Sequence, residues 1–526
     1  MEWKRWIAVG LVHVMIVPVL LAGGDDKDER IKAKHRRIAE EADFFFSIDD
    51  HFMSKRIYTD LVELYPENAE FNFRLGFSYL HLRNLESQGI PYLEKAVSEG
   101  FTPAYYFLAE VYHLEKRFPE ALKVLRDFAT RPDRNLPYSR VEIAERRILK
   151  AMELLASPID VRIKKLGSNI NSDHQDYAPN IDPEGEFLYF TSRRPESTGG
   201  YTDQEGQYFE DIFMSHCVSG AWTDAEPVSR PLNSDGHDAN VNFSASGNSM
   251  LIYRTHKNLH SGDLYVSERM KGAWSEPEKL DDAINTSEFH EPSAAFSPDE
   301  RELYVVSDRP GGFGGKDIYV IRRLPNGDWS EPQNLGMEIN SPFDEDAPFL
   351  SLDGRTMYFS SNGNGSIGGY DIFRVSKDPM GGWGEPMHMG FPVNSVHDDI
   401  YFSVTADGKR GFLSSSREGS MDIYEVDLLY EEDDFVVLKG SIKDAKSGEP
   451  IVAQVRLIDL ESGLEWVTTI SNRETGNYVL AIRPDTPFQM VVEAMDYKDA
   501  DQAVEIEVRE KGDFHVKTMD VLLERY

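Results

Sequence analysis

A five-fold repeat between residues 158 and 430 limits what this chain can fold into more than any other feature. Each unit opens with Asn followed by Ser or Thr, at Asn171, Asn233, Asn285, Asn340 and Asn394. Each later carries Asp followed by an aliphatic and an aromatic residue: Asp211-Ile212-Phe213, Asp263-Leu264-Tyr265, Asp317-Ile318-Tyr319, Asp371-Ile372-Phe373 and Asp422-Ile423-Tyr424. Four units end in Trp222, Trp274, Trp329 or Trp383, each with Glu-Pro shortly after. The landmarks recur every 51–62 residues. Turn words such as Ser297-Pro298-Asp299 and Leu352-Asp353-Gly354 separate apolar-aromatic runs such as Leu303-Tyr304-Val305 and Met357-Tyr358-Phe359. Every unit therefore offers four short strands.

A lone four-stranded sheet of this size cannot bury both faces, and closing several into a ring can. Repeats of about 50 residues with four strands each specify propeller blades. The fifth unit stops at Asp422–Leu428 without the Trp and Glu-Pro strand. Upstream, Ile159–Leu166 fits the place that Glu276–Leu280 takes in a later unit. That segment is expected to complete blade five, and the alternative is a sixth, unrecognised blade. The words Phe296-Ser297-Pro298-Asp299, Ser307-Asp308-Arg309-Pro310-Gly311-Gly312 and Gly315-Lys316-Asp317-Ile318-Tyr319 resemble the TolB-like, WD-like propeller repeats of envelope proteins.

One column of the repeat could carry chemistry. Each unit has an acid just before its innermost strand: Asp176, Asp238, Glu291, Glu345 and Asp399. Inner strands line a propeller's channel, so these acids could form a ring at one mouth that binds a cation or a basic side chain. The competing reading is that each caps a turn by accepting backbone N–H bonds. His237 and His290 stand beside acids in units two and three; they read as solvated loop residues, with metal or base chemistry as the rival role. The Asp of each Asp-Ile-Tyr word is expected to fix a loop, and the tryptophans to pack between blades.

No catalytic residue is assigned. The chain has no Gly-x-Ser-x-Gly elbow and no His-Glu-x-x-His word. An acid in every blade also points away from one asymmetric catalytic pair. The runs Gly311–Gly315 and Gly363–Gly365 lack the Lys-Ser/Thr of a phosphate loop and read as hairpin loops. Cys217 is the only cysteine, so neither an internal disulfide nor a thiolate metal site is available. No metal and no cofactor are expected. The long loop of unit one offers Tyr201 and Tyr208 for contact with a carbohydrate or peptide.

Residues 25–157 show helical apolar spacing. Leu75-Gly76-x-x-Tyr79 recurs as Leu108-Ala109-x-x-Tyr112, and Pro119-Glu120-Ala121-Leu122 opens a second helix after a short turn. A period near 34 with small residues between helices resembles tetratricopeptide repeats. Three helix pairs and a capping helix near Arg140–Leu155 fit the length, and the first copy carries about four extra residues before its second helix. Such a solenoid is a partner groove or a spacer. Residues 434–526 alternate as strands around Val437–Ile442, Val455–Leu460, Gly476–Leu480 and Gln489–Ala494. Gly440, Asp444, Ser447-Gly448, Pro450-Ile451, Gly476 and Tyr478 make this part resemble carboxypeptidase regulatory-like domains, which implies a non-catalytic, transthyretin-like β-sandwich.

The fold expected is multidomain: an all-α solenoid, a five-bladed propeller spanning 158–430 and a β-sandwich. Lys4-Arg5, the apolar run Ile7–Ala22 and the small residues to Gly24 read as a signal peptide over residues 1–24, with an uncleaved anchor as the alternative. No Cys follows that run, so no lipoprotein anchor is expected. The formal net charge of −35 excludes nucleic acid and anionic lipid headgroups as partners.

This order of modules resembles periplasmic proteins tied to type IX secretion and gliding. The resemblance implies a non-enzymatic scaffold in the periplasm or at the outer membrane, with envelope proteins as partners. Relatives continue into an outer-membrane-protein-A-like domain, which is not found before Tyr526. Attachment is therefore expected through partners rather than by direct peptidoglycan binding. A carbohydrate- or peptide-binding module, or a glycan-active enzyme using the channel, are the alternatives.

Overall fold

The structure, a computed structural model, describes residues 31–526 apart from 83, 204–205, 257–260, 379, 429–435, 485 and 505–515. The expected signal peptide and the acidic run Glu431–Asp434 lie outside the described residues.

Among the described residues seven α-helices come first: α1 (Ala33–Ser47), α2 (His51–Leu64), α3 (Ala69–Leu80), α4 (Ile90–Ser98), α5 (Thr102–Leu114), α6 (Phe118–Thr130) and α7 (Tyr138–Ala156). They form three antiparallel pairs and one closing helix, as the period predicts. Asp50 and Asn68 cap α2 and α3 by accepting the Met53 and Phe71 N–H groups. Proline in the first turn opens α4, α5 and α6, where its missing N–H costs nothing. Gly76 shows why the repeat needs small residues. A Cβ there would stand 2.6 Å from Leu93 Cγ and 3.0 Å from the Gly89 carbonyl oxygen. The extra residues of the first copy form a 3₁₀ turn, Glu86–Gly89.

Five antiparallel sheets follow. Their innermost strands are Asp176–Ile181, Asp238–Phe243, Ala294–Phe296, Glu345–Leu350 and Asp399–Val404. Each touches the next, and the fifth touches the first, so the ring closes on five blades with no place for a sixth. Val161–Lys165 pairs with Tyr424–Leu428 and supplies the fourth strand of blade five. Between neighbouring blades lie five hydrophobic layers, and the four tryptophans sit in them. Trp222 packs between blades five and one, Trp274 between one and two, Trp329 between two and three, and Trp383 between three and four.

The Asn that opens each unit reaches back to the blade before it. Asn233 accepts the Ile212 N–H at 2.8 Å and donates to the Ile212 carbonyl at 2.9 Å, as a paired strand would. Asn285, Asn340 and Asn394 do the same to Leu264, Ile318 and Ile372. Asn171 does so to Ile423, some 250 residues later, and so fastens the ring. These contacts satisfy buried backbone groups that a short outer strand leaves open.

The last segment is a two-sheet sandwich. One sheet joins Val436–Asp444 to Asn477–Ile482, Val516–Thr518 and Val521–Leu523; the other orders Glu465–Ile470, Gln454–Asp459, Phe488–Glu493 and Ala500–Val504. Leu438, Ile442 and Leu480 of the first meet Val455, Leu457, Phe488 and Met490 of the second in one core. Gly440 is required by close approach, since a Cβ would lie 1.9 Å from the Met519 carbonyl oxygen.

Both flanking parts dock on the ring. Ile367 and Val396, on loops of blades four and five, are buried in the helical core, and His113 of α5 donates to the Ile367 carbonyl at 2.7 Å. The sandwich covers the turns at the other end of the inner strands. There Val437, Val479 and Ala481 pack on Ala245, Leu352 and Ala406. Asn472 donates to the Ser246 carbonyl and Asn248 to the Ser471 carbonyl. Below the sandwich, Phe243, Phe296, Phe349 and Leu352 narrow the axis to a void of about 20 Å³, room for roughly one water.

Candidate functional site

The repeated acids come first, because their column was the candidate ring. All five are buried, the most exposed being Glu291 at 3%. Asp176 accepts from the Ser172 N–H and hydroxyl and from Arg194. Asp238 does so from Ser234 and Arg254, Asp399 from Ser395 and Arg417, and Glu291 from Thr286, Ser307 and Arg309. Glu345 accepts from Ser341 and Ser361. The carboxylates thus face inward to turns of their own blades, the capping arrangement, rather than an open channel mouth. The Ser or Thr after each opening Asn is the partner that makes the cap.

The Asp of the Asp-Ile-Tyr words also fixes loops. Asp211 accepts from the Thr198 N–H, Asp317 from Phe313 and Gly314, and Asp371 from Ile367. Asp263 and Asp422 instead pair with Lys279 and Lys165.

The polar cluster that does reach the axis stands in neighbouring columns. Tyr177, Asp346 and Ile400 each follow one of the repeated acids, and Glu210, Lys316, Tyr370 and Met421 each precede an Asp-Ile-Tyr word. On one side Glu210 accepts the Tyr177 hydroxyl at 2.7 Å and lies 2.9 Å from His237 Nδ1. Burial raises the Glu210 pKa, but His237, Arg193 and Tyr177 overcome it and hold it near 2. Across the axis Lys316 pairs with Asp346, which also accepts the Ser293 hydroxyl at 2.6 Å. Burial opposes the Lys316 charge, yet Asp346 and Tyr370 hold its pKa well above the usual lysine value. Tyr401 stands between the two groups, within electrostatic reach of Asp346, Lys316 and Glu210. Its ring is 6.0 Å from that of Tyr177.

Bulges in the inner strands arrange this cluster. The register slips between Ile400 and Ser403, between Asp346 and Phe349, and between Tyr177 and Asn180. Each slip contains a residue in the left-handed region: Ala178 at φ 52°, Ala347 at 49° and Tyr401 at 60°. A bulky aromatic residue there is strained, and it is held by the surrounding packing.

His237 and His290 are not solvated loop residues, as the sequence reading had them. His237 is 8% exposed and stacks on Phe209, and His290 Nε2 lies 3.3 Å from the Tyr253 hydroxyl. Burial, helped by Lys316, pushes the His290 pKa down to about 4. Among the described residues no three His, Cys, Asp or Glu side chains form a metal-holding group. Tyr201 in the long loop of blade one is exposed, while Tyr208 is half-buried against His174. Cys217 is half-buried in a strand.

No family model matches the sequence. No curated protein matches it either. Among solved structures, a thermostable family-43 glycoside hydrolase is 13% identical, with a TM-score of 0.34, covering 51% of this chain and 91% of its own. An endo-arabinase from Bacteroides thetaiotaomicron is 16% identical, with a TM-score of 0.33, covering 50% of this chain and 97% of its own. A 3-chlorocatechol 1,2-dioxygenase from Rhodococcus opacus is 8% identical over 19% of this chain and 63% of its own, with a TM-score of 0.15. Likeness this low says nothing about activity.

Proposed function

We propose that the protein is a non-enzymatic cell-envelope scaffold. In this reading a tetratricopeptide-like solenoid and a carboxypeptidase regulatory-like sandwich are held by a TolB-like five-bladed propeller and present docking faces to a secretion or gliding machinery, type IX in kind. The observation that carries the reading is the double docking on the ring. Buried apolar contacts join the solenoid to blades four and five and the sandwich to the opposite face, so the parts have fixed places on one platform. Supporting it, the repeated acids are consumed by turns.

Crosslinking the exported protein in its own envelope, followed by affinity capture, tests the proposal. Recovery of secretion or motility components supports it. Capture of no protein, together with breakdown of envelope glycan by the purified chain, overturns it.

A further inference from the structure

The five blades are internal controls for one another, and blade one departs from the rest in two ways. In the other four, the strand paired to the Asp-Ile-Tyr word supplies a side chain that bonds its Asp. Lys279 pairs with Asp263 at 2.9 Å, Asn334 donates to Asp317 at 2.8 Å, His388 lies 2.8 Å from Asp371 and Lys165 pairs with Asp422 at 2.7 Å. The same register in blade one puts Pro227 opposite Phe213, as it puts Lys279 opposite Tyr265. Proline has no donor to offer, and Asp211 Oδ1 is buried with no partner among the described residues.

The second departure is in the arginine that binds the repeated acid. Arg254, Arg309 and Arg417 also donate to the carbonyl two residues before the opening Asn, those of Pro231, Ala283 and Pro392. In blade one that carbonyl, Asn169, is taken by the Ala225 N–H at 2.8 Å. Arg194 Nε donates to Ser192, and Nη2 donates to the Ile170 carbonyl and to Asp176. Its Nη1 has no bond among the described residues, although Arg194 is only 8% exposed. A buried donor without an acceptor is costly, so this edge favours any ligand that supplies one.

Arg194, Phe213 and Pro227 line one cavity of about 380 Å³, a size that takes small molecules. Blades two, three and five carry Tyr265, Tyr319 and Tyr424 where blade one has Phe213, so a hydroxyl is missing there too. Asp173 and His174 border the cavity on one side and Pro195 and Glu196 on another. The long loop of blade one leaves the ring just after Glu196 and returns at Tyr208, whose ring lies 5.7 Å from that of His174.

We propose that this cavity binds a neutral saccharide unit. Asp176 already balances the Arg194 charge, and Asp173 and Glu196 stand exposed at the rim, so an anion gains little there. A cation would sit against the guanidinium. A sugar brings what the walls lack: a hydroxyl oxygen to accept from Arg194 Nη1, hydroxyl donors for Asp173 and Glu196, and a C–H face for the exposed Pro195 and Pro227. The lining belongs to blade one, so the site stands apart from the scaffold reading.

The test is saturation-transfer NMR and calorimetry on the full chain with galactose and N-acetylglucosamine, each beside its charged counterpart, galacturonate and glucosamine. The expected result is saturable binding of a neutral sugar, with its charged counterpart weaker by about tenfold. Pro227→Lys, which rebuilds the pairing of blade two and fills the cavity, should abolish the signal while the melting temperature holds or rises. Glu196→Gln, on the exposed rim, should weaken binding about fivefold, and it carries the test alone if the first variant fails to fold. Tighter binding of galacturonate, preference for N-acetylalanine amide as a peptide probe, binding that ignores both variants, or no saturable binding of either neutral sugar overturns the proposal.

Discussion

Replacing Asp238 and Glu345 by their amides separates the two kinds of cap in this ring. Asp238 is 0% exposed and binds Arg254, whose side chain is 19% exposed and also donates to the Pro231 and Leu232 carbonyls. Asp238→Asn leaves that guanidinium without its anion and turns an amide N–H toward the Ser234 donors. Breaking a buried pair from one side costs about 3–5 kcal/mol, and the two carbonyls that still hold Arg254 place this site near the lower end. Glu345→Gln loses a hydrogen-bond acceptor, worth about 1–2 kcal/mol. At pH 8 it also removes an uncompensated buried charge, whose raised pKa of about 7 corresponds to at most ~3 kcal/mol. The net change at blade four is thus close to zero or stabilising. The readout is exchange of the Ser234 and Ser341 amides, which donate to the two carboxylates. At pH 8 Ser234 protection in Asp238→Asn should fall roughly a hundredfold, about 3 kcal/mol, while Ser341 protection in Glu345→Gln holds. Equal losses at both sites would refute the argument that the arginine is what makes the other caps tolerate their charge.

Further outcomes follow from close contacts elsewhere. Gly76→Ala must push Leu93 and the Gly89 carbonyl away, and should lower helical stability by about 1–3 kcal/mol, read as an earlier loss of helical circular dichroism on heating. Asn285→Ala removes bonds to the Leu264 N–H and to the Leu264 and Leu280 carbonyls, and should destabilise the blade two–three joint by about 2–4 kcal/mol in denaturant unfolding. Ile367→Asp puts a charge into the helical core and should release the solenoid from the ring while both stay folded, seen as expansion in small-angle scattering with unchanged circular dichroism. Asn472→Ala should loosen the sandwich on the opposite face, measured as faster exchange at residues 244–249.

The parts of the fold that could be read from the sequence are those the repeat enforces. Asn, Ser, Asp and Trp recur because every blade needs the same backbone clamp, the same turn cap and the same filler between sheets. Their geometry followed once the ring was inferred, and even the closing strand Val161–Lys165 was visible as a gap in the pattern. The axial cluster was not legible. Glu210, Lys316, Tyr370 and Met421 share one column, but each has a different side chain there, so no recurrence marks them. The signal that could have found them is the reverse of a motif, a column beside a conserved word in which every blade differs. His237 and His290 were misplaced for a related reason: a loop histidine looks solvated until Phe209 or Tyr253 is brought against it.

The sequence by itself determined the local chemistry: helical pairs with glycine where they cross, four strands to a unit, and an acid beside a serine or threonine that would cap its turn. These are contacts between residues near in the chain, and spacing encodes them. Only the tertiary structure decided which surfaces became joints and which charges lost water. Blade four resembles its neighbours in sequence, yet the solenoid settles on Ile367 and buries it. Glu345 becomes unusual because ring closure takes it from solvent while glycine stands where the other blades bring an arginine. The cost of a buried charge depends on everything packed around it, and that is settled only when distant segments meet.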